Sequence, residues 1–198
     1  ISCYNLTIKE QTALMTLIKK GKIEDLSEEK SIQQFKIVMN RLGSNRYHQY
    51  EISNYAKVGQ QSKHNLTYWK YLDYIGIGAG AHGRITLAGQ TYATMQYKKP
   101  ETWLKAVQMN GHATKVKENL SQKAMAEEMI MMGLRLTDGI AYTDFKNRLG
   151  TDIEKFIAMD SLVSLKSQGF VSVKNQDRLR LTEKGRPLLN QILGQILV

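Results

Sequence analysis

The chain has 198 residues, of which 42% are hydrophobic and 23% are charged, so its composition is that of a globular protein with a substantial core. Its single cysteine, Cys3, excludes a disulfide framework and any metal site built only from cysteines of this chain. No apolar run is long enough to cross a bilayer and no signal-peptide pattern opens the chain, which predicts a cytoplasmic protein. The net charge is +10, and +8 of it falls within residues 1–120.

The first part of the chain is predicted to alternate strands with helices. ISCYNLTI alternates as a strand does, and we expect further chain of the same domain to precede it. A short helix over QTALMTLIKKG comes next, followed by a longer one capped by Ser27 and ended by Gly43. RYHQYEIS is the next strand, and it carries Glu51, which has no second carboxylate nearby for acid–base chemistry. Strand, helix and strand form a βα repeat, which is typical of a parallel sheet or barrel.

The middle of the chain has less regular signals. Residues 54–70 lack periodicity and are expected to form a loop, whereas YLDYIGIG is expected to form a strand. RITLAGQTYATM predicts two strands joined by a tight turn at residues 88–90. Pro100 is placed to begin a helix that ends near Met109.

From Ser121 onwards the pattern is mainly helical. Ser121 caps the first predicted helix, shorter helices cover Thr143–Leu149 and Asp152–Ala158, and another begins at Asp160. FVSVKNQDRLRL then predicts a hairpin, and Thr182 is expected to cap the last helix. Helices followed by a two-stranded wing are typical of a winged-helix-like domain. Because residues 121–198 carry a net charge of only +2, a structural or protein-facing role is favoured over DNA binding, and no nucleic-acid partner is expected.

The segment GAGAHG, Gly78 to Gly83, fits the G-x-G-x-x-G pattern of dinucleotide-binding loops. Such a loop needs a helix directly after the glycines and an acidic residue about 20 positions further on, and this chain predicts a hairpin there instead. The glycines fit a tight turn at a sheet edge, or a loop in which the backbone passes close to a ligand. The ligand-facing loop is the favoured interpretation.

The segment HNLTYW, His64 to Trp69, concentrates an imidazole, an amide and two large aromatic side chains. Imidazole is a good iron ligand, and aromatic rings stack on planar macrocycles. A lone histidine with aromatic neighbours is equally typical of a loop that covers the end of a core. The residues by themselves favour this second interpretation.

Taken together, three motifs resemble those of a known family. Tyr50–Ala56, His64–Trp69 and Gly76–Gly83 resemble segments of the oxygen-independent coproporphyrinogen III oxidase-like (HemN-like) radical SAM proteins, and they are most similar to the HemW-type branch of haem chaperones. The resemblance covers nearly the whole chain. It implies an α/β fold in residues 1–98, formed by the last βα units of a partial radical SAM barrel with its ligand loop. It also implies a mainly helical, winged-helix-like C-terminal domain in residues 99–198.

The resemblance implies that the chain is part of a radical SAM haem chaperone, which binds and delivers haem without catalysis by this part alone. Alternatives are an oxygen-independent coproporphyrinogen III oxidase of haem biosynthesis and a winged-helix protein- or DNA-binding module. The family binds a [4Fe-4S] cluster and S-adenosylmethionine through C-x-x-x-C-x-x-C, which the lone Cys3 does not match. These two cofactors are therefore expected in a full-length parent only. Expected partners are haem or porphyrin, haem-accepting respiratory proteins at the membrane, and a second copy of the chain.

The resemblance also implies roles for individual residues. In HNLTYW it implies His64 as axial ligand of the haem iron, Asn65 as an orienting hydrogen-bond donor, and Tyr68 and Trp69 as stacking partners. His82 is the alternative iron ligand. The positive side chains expected to pair with the haem propionates are Lys57, Lys63 and Lys70. The residues expected at the S-adenosylmethionine pocket are Thr7 and His82.

Overall fold

The computed structural model describes residues 1–4, 6, 8–175 and 177–198, which form two compact units, Ile1–Gln61 and Ser62–Val198. The boundary predicted between residues 98 and 99 falls inside the second unit. The α-helices are α1 Ala13–Lys19, α2 Glu28–Ser44, α3 Lys63–Trp69, α4 Pro100–Asn110, α5 Gln122–Gly133, α6 Tyr142–Leu149, α7 Met159–Ser167 and α8 Leu189–Ile196. The strands are β1 His48–Glu51, β2 Asn54–Ala56, β3 His82–Leu87, β4 Gln90–Gln96, β5 Thr114–Asn119, β6 Ile140–Ala141, β7 Val171–Lys174 and β8 Arg178–Leu181.

The first unit contains α1, α2 and the antiparallel pair β1–β2. The predicted cap is confirmed, because the Ser27 hydroxyl accepts a hydrogen bond from the backbone N–H of Lys30. The predicted parallel βα repeat is wrong for the residues described: β1 pairs antiparallel with β2, and the bridge from Ser2 to Asn54 is also antiparallel. In the tight connection between these two strands, the buried Glu51 carboxylate accepts from the backbone N–H of Ser53 at 2.9 Å.

The second unit begins with α3 and continues into the antiparallel sheet β3–β4–β5. The predicted hairpin is confirmed: Ala88 and Gly89 both have positive φ, 48° and 77°, as a two-residue turn between twisted strands requires. The predicted helix from Pro100 is confirmed as α4. The predicted strand YLDYIGIG is wrong, because within it only Tyr74 pairs with a neighbour, through a bridge to Arg84 in β3.

The remainder of the second unit packs helices around the antiparallel sheet β6–β8–β7. The Ser121 cap and the β7–β8 hairpin are confirmed. The Thr182 hydroxyl caps the helical turns that precede α8, because it accepts from the backbone N–H of Gly185 at 3.1 Å, and it also donates to the carbonyl of Gly169 at 2.7 Å. A short 3₁₀ helix separates Thr182 from α8 itself. Among the residues described, no helix is both long and apolar enough to cross a membrane. The largest fully buried apolar side chains of this core are Phe145, Ile130, Leu134, Leu179, Leu181, Ile192 and Ile196.

Candidate functional site

The motif HNLTYW lies on a helix, and the loop predicted for it is wrong. Helix α3 runs from Lys63 to Trp69, and the Ser62 hydroxyl caps it by accepting from the backbone N–H of Asn65 at 3.2 Å. Residues four apart lie on the same face of a helix. The motif histidine, His64, and the motif tyrosine, Tyr68, are therefore neighbours.

His64 and Tyr68 form a direct pair. The imidazole Nε2 of His64 lies 3.0 Å from the hydroxyl oxygen of Tyr68, and the two rings meet edge to face with centroids 4.8 Å apart. The imidazole is exposed, whereas Tyr68 is half-buried. Tyr68 also meets the ring of Tyr74 edge to face, at 4.4 Å between centroids. The three rings form a continuous cluster, which we call the His64–Tyr68–Tyr74 cluster.

Trp69 lies at the C-terminal end of α3 and is half-buried. The guanidinium of Arg135, just after α5, lies over the indole ring at 4.5 Å from its centroid, within the range of a cation–π contact. The indole Nε1 is buried and has no hydrogen-bond partner among the described residues. Because Arg135 covers one face of the indole, that face is not available for a stacked macrocycle. Trp69 contributes to the packing of α3 beside α5.

The glycine-rich segment runs along the edge of β3. At Gly76 an added Cβ would lie 2.4 Å from the carbonyl oxygen of His82, so this position requires a glycine. Gly78 follows with φ of 107°. The side chains of Ile75 and Ile77 are 77% and 83% exposed, so the segment presents two apolar side chains to solvent. A strand, β3, follows the glycines rather than a helix.

The other predicted site residues lie at different places. His82 is exposed and begins β3, opposite Met95 of β4. Thr7, predicted for the S-adenosylmethionine pocket, lies outside the described residues. Lys57 belongs to the first unit, where its ammonium lies 5.4 Å from the centroid of the Tyr47 ring. The lysines that flank the motif on and next to α3 are exposed: Lys63 and Lys70.

An ion-pair network that the sequence did not reveal connects this region to the C-terminal helices. The Glu128 carboxylate of α5 accepts from Arg84 of β3 through both oxygens, at 2.9 and 2.6 Å. The Tyr71 hydroxyl donates to the same carboxylate at 2.6 Å. Burial alone would raise the pKa of Glu128, but the hydrogen bonds from Arg84 and Tyr71 outweigh it and hold that pKa below its ordinary value. Burial and the bond to Glu128 raise the pKa of Tyr71.

A second ion pair reinforces the connection. Arg148 of α6 donates to the Asp73 carboxylate at 2.6 Å, and the backbone N–H of Thr86 donates to the same carboxylate at 2.6 Å. Asp73 directly precedes Tyr74 of the His64–Tyr68–Tyr74 cluster. Helices α5 and α6 therefore fix the segment between α3 and β3 from two sides.

The chain is similar in sequence to a known domain family and to several known proteins. Residues 120–188 match the family model of the HemN C-terminal domain. The chain is 31% identical to the heme chaperone HemW of Bacillus subtilis over 196 residues, covering 99% of this chain and 50% of that protein. It is also 31% identical to a zebrafish protein, the mitochondrial radical S-adenosyl methionine domain-containing protein 1, covering 100% of this chain and 46% of that one.

The fold has a counterpart among solved structures. The radical SAM enzyme coproporphyrinogen III oxidase (HemN) of Escherichia coli matches with a TM-score of 0.60 and 15% identity, covering 91% of this chain and 44% of that one. At this identity the match shows a shared fold only. The chain spans about half the length of the curated relatives it matches. These similarities show that residues 120–188 are a HemN C-terminal domain and that the chain as a whole is similar to HemW-type proteins over about half of their length.

Proposed function

We propose that this chain supplies the haem-binding part of a HemW-type haem chaperone, which holds haem for delivery to other proteins. Two bacterial relatives, from Bacillus subtilis and Lactococcus lactis, carry the name heme chaperone HemW at 31% identity. Because the chain spans about half of these relatives, the activity of the whole protein is part of the proposal. Haem is the cargo here and not a resident cofactor.

The observation that carries the proposal is the exposed imidazole of His64 on α3. Neutral imidazole is a common axial ligand of haem iron, and an exposed ring can reach a bulky macrocycle without unfolding the helix. Within the same unit His82 is also exposed, and it is the alternative ligand. His112 is held differently, because its Nδ1 accepts from the backbone N–H of Thr114 at 3.3 Å.

The surroundings of α3 suit the remaining parts of a haem. A porphyrin is flat and largely apolar, and the exposed Ile75 and Ile77 of the glycine-rich segment offer apolar contact area. The propionates are anionic, and the exposed Lys63 and Lys70 are positive. Tyr68 is a half-buried ring next to the proposed ligand. These features support a site in which iron, macrocycle and carboxylates each have a complementary group.

The radical SAM cofactors do not fit this chain by itself. Three cysteine thiolates are needed for the family's cluster motif, and the chain contains Cys3 alone. We therefore assign the [4Fe-4S] cluster and S-adenosylmethionine to the rest of a full-length parent. Within this chain, His82 is the described residue that we propose for the wall of the S-adenosylmethionine pocket.

Hemin titration of the chain, followed by absorbance in the Soret region, tests the haem site. We expect a saturable Soret shift with the unaltered chain and a shift that is lost or weakened at least tenfold with His64→Ala. His112→Ala is the matched control and should behave as the unaltered chain does. An unchanged Soret shift with His64→Ala, together with its loss in His82→Ala, would move the ligand to the other histidine. An unchanged shift in both variants would contradict the proposal.

The remaining assignments follow from the proposed function. The order of α5, α6, α7 and the β7–β8 hairpin supports a winged-helix-like C-terminal domain that faces protein. Haem-accepting respiratory proteins at the membrane are the proposed recipients, a cytoplasmic location is the proposed setting, and pairing of two copies is the proposed assembly. Gel filtration with and without hemin measures the last of these directly.

A further inference from the structure

The hydrogen bond between His64 and Tyr68 involves the ring nitrogen that an iron ligand needs. Of the two imidazole nitrogens, Nδ1 is next to the carbon that carries the rest of the side chain, so a porphyrin bound there would meet the residue's own Cβ. Nε2 is at the far side of the ring and reaches iron without that obstruction. In this structure Nε2 lies 3.0 Å from the Tyr68 hydroxyl.

Either direction of this hydrogen bond makes Nε2 unavailable. If the Tyr68 hydroxyl donates, it occupies the lone pair of Nε2 that would bind iron. If Nε2–H donates to the hydroxyl oxygen, the nitrogen carries a proton and has no free lone pair. Iron binding through Nε2 therefore requires that the bond between His64 and Tyr68 be broken.

Tyr68 is the fixed member of the pair. Its half-buried ring packs edge to face against Tyr74, and Tyr74 is held to β3 by two backbone hydrogen bonds with Arg84, at 2.7 and 2.9 Å. His64 is exposed and lies at the first turn of α3, so its ring is the one that can rotate. Breaking the bond therefore moves the imidazole and leaves Tyr68 in place.

We propose that Tyr68 lowers the haem affinity of this chain by competing with iron for Nε2 of His64. This inference rests on the proposed function, with His64 as ligand, and it assigns Tyr68 a role different from stacking on the macrocycle. Each binding event loses one hydrogen bond, and each release restores it. The competition favours release, which a protein that transfers haem needs.

The expected change in hemin affinity follows from the net free energy that one hydrogen bond contributes. A net contribution of about 0.5–1.5 kcal/mol corresponds to a factor of about 2–10 in the dissociation constant. Tyr68→Phe removes the hydroxyl and keeps the ring against Tyr74. The variant should therefore bind hemin about 2–10 times more tightly than the unaltered chain. The difference should appear mainly as slower loss of haem to an excess of apomyoglobin.

Hemin titration and haem-transfer rates of four chains test the proposal: the unaltered chain, Tyr68→Phe, His64→Ala and Tyr92→Phe. Tyr92→Phe removes a hydroxyl from β4 as the matched control and should change neither affinity nor rate. If Tyr68→Phe binds hemin equally or more weakly while His64→Ala abolishes binding, then Tyr68 does not compete with iron for His64. The proposed haem site itself would be unaffected by that result. Retention of the Soret shift by His64→Ala would instead refute the assignment of His64 as the iron ligand, on which this inference rests.

A measurement without haem provides a second readout. The imidazole ¹⁵N resonances of His64 report which nitrogen carries the proton and whether it is hydrogen-bonded. We expect these resonances to change between the unaltered chain and Tyr68→Phe, while those of His112 stay the same. Unchanged His64 resonances would show that no hydrogen bond holds Nε2 in solution, and this result would also overturn the proposal.

Discussion

Replacing Glu128 by glutamine should weaken the second unit far more than the same change one residue earlier. Glu128 accepts three hydrogen bonds of 2.6–2.9 Å from Arg84 and Tyr71, and the Glu128 and Arg84 side chains are each only 20% exposed. Glutamine has nearly the same shape as glutamate but no charge, and its amide hydrogens would face the positively charged guanidinium of Arg84. We expect a loss of about 2–3 kcal/mol in the free energy of unfolding, between the value of one charged hydrogen bond and that of a fully buried ion pair.

The neighbouring glutamate provides the matched control. Glu127 approaches Lys123 at 3.9 Å in an exposed pair on the same helix, so Glu127→Gln should cost less than about 0.5 kcal/mol. Urea unfolding followed by tryptophan fluorescence measures both variants. The only two tryptophans, Trp69 and Trp103, belong to the second unit, so the signal reports that unit alone. Equal losses for the two glutamine variants would refute the view that the Arg84–Glu128–Tyr71 network stabilises this unit.

Two further predictions concern the same unit. The pKa of folded Glu128 lies below its ordinary value of 4.5, so its contribution to stability is complete above that pH and is lost as pH falls through the folded value. When urea unfolding is measured between pH 6 and about pH 3, the free energy of unfolding should therefore fall more steeply with decreasing pH for the unaltered chain than for Glu128→Gln. An equal fall of the free energy of unfolding in the two proteins would contradict this. Gly76→Ala would put a Cβ 2.4 Å from the carbonyl oxygen of His82 and should cost at least about 1 kcal/mol. Gly194→Ala in α8 meets nothing within 4 Å and should be neutral or stabilising by up to about 1 kcal/mol, and an equal loss in both alanine variants would count against a steric role for Gly76.

Local signals in the sequence predicted much of the fold correctly. The caps at Ser27 and Ser121, the start of α4 at Pro100 and the turn at Ala88 and Gly89 depend on side chains within a few residues of the backbone they shape. Their chemistry is therefore readable along the chain. The three motifs that indicated the family are equally local.

Features that depend on distant residues were not predicted. Helix α3 was expected to be a loop because its seven residues are too few to show a period and include two large aromatics. One contact that holds this helix in place is the cation–π contact of Trp69 with Arg135, a residue far from it along the chain. Arg84 and Glu128 are 44 residues apart, and Asp73 and Arg148 are 75 apart. Because a charge pattern does not specify its partner, no sequence signal connects these residues.

The ion pairs between β3, Asp73 and the C-terminal helices set a limit on how the chain can be divided. The stretch that matches the HemN C-terminal model begins at residue 120, yet Glu128 and Arg148 within it find their counter-charges at Arg84 and Asp73, upstream of that point. A truncated protein starting at residue 120 would leave the Glu128 carboxylate and the Arg148 guanidinium without their ion-pair partners. The stretch that matches this family model is therefore shorter than the stretch that the ion pairs connect, and truncation experiments should begin no later than Ser62.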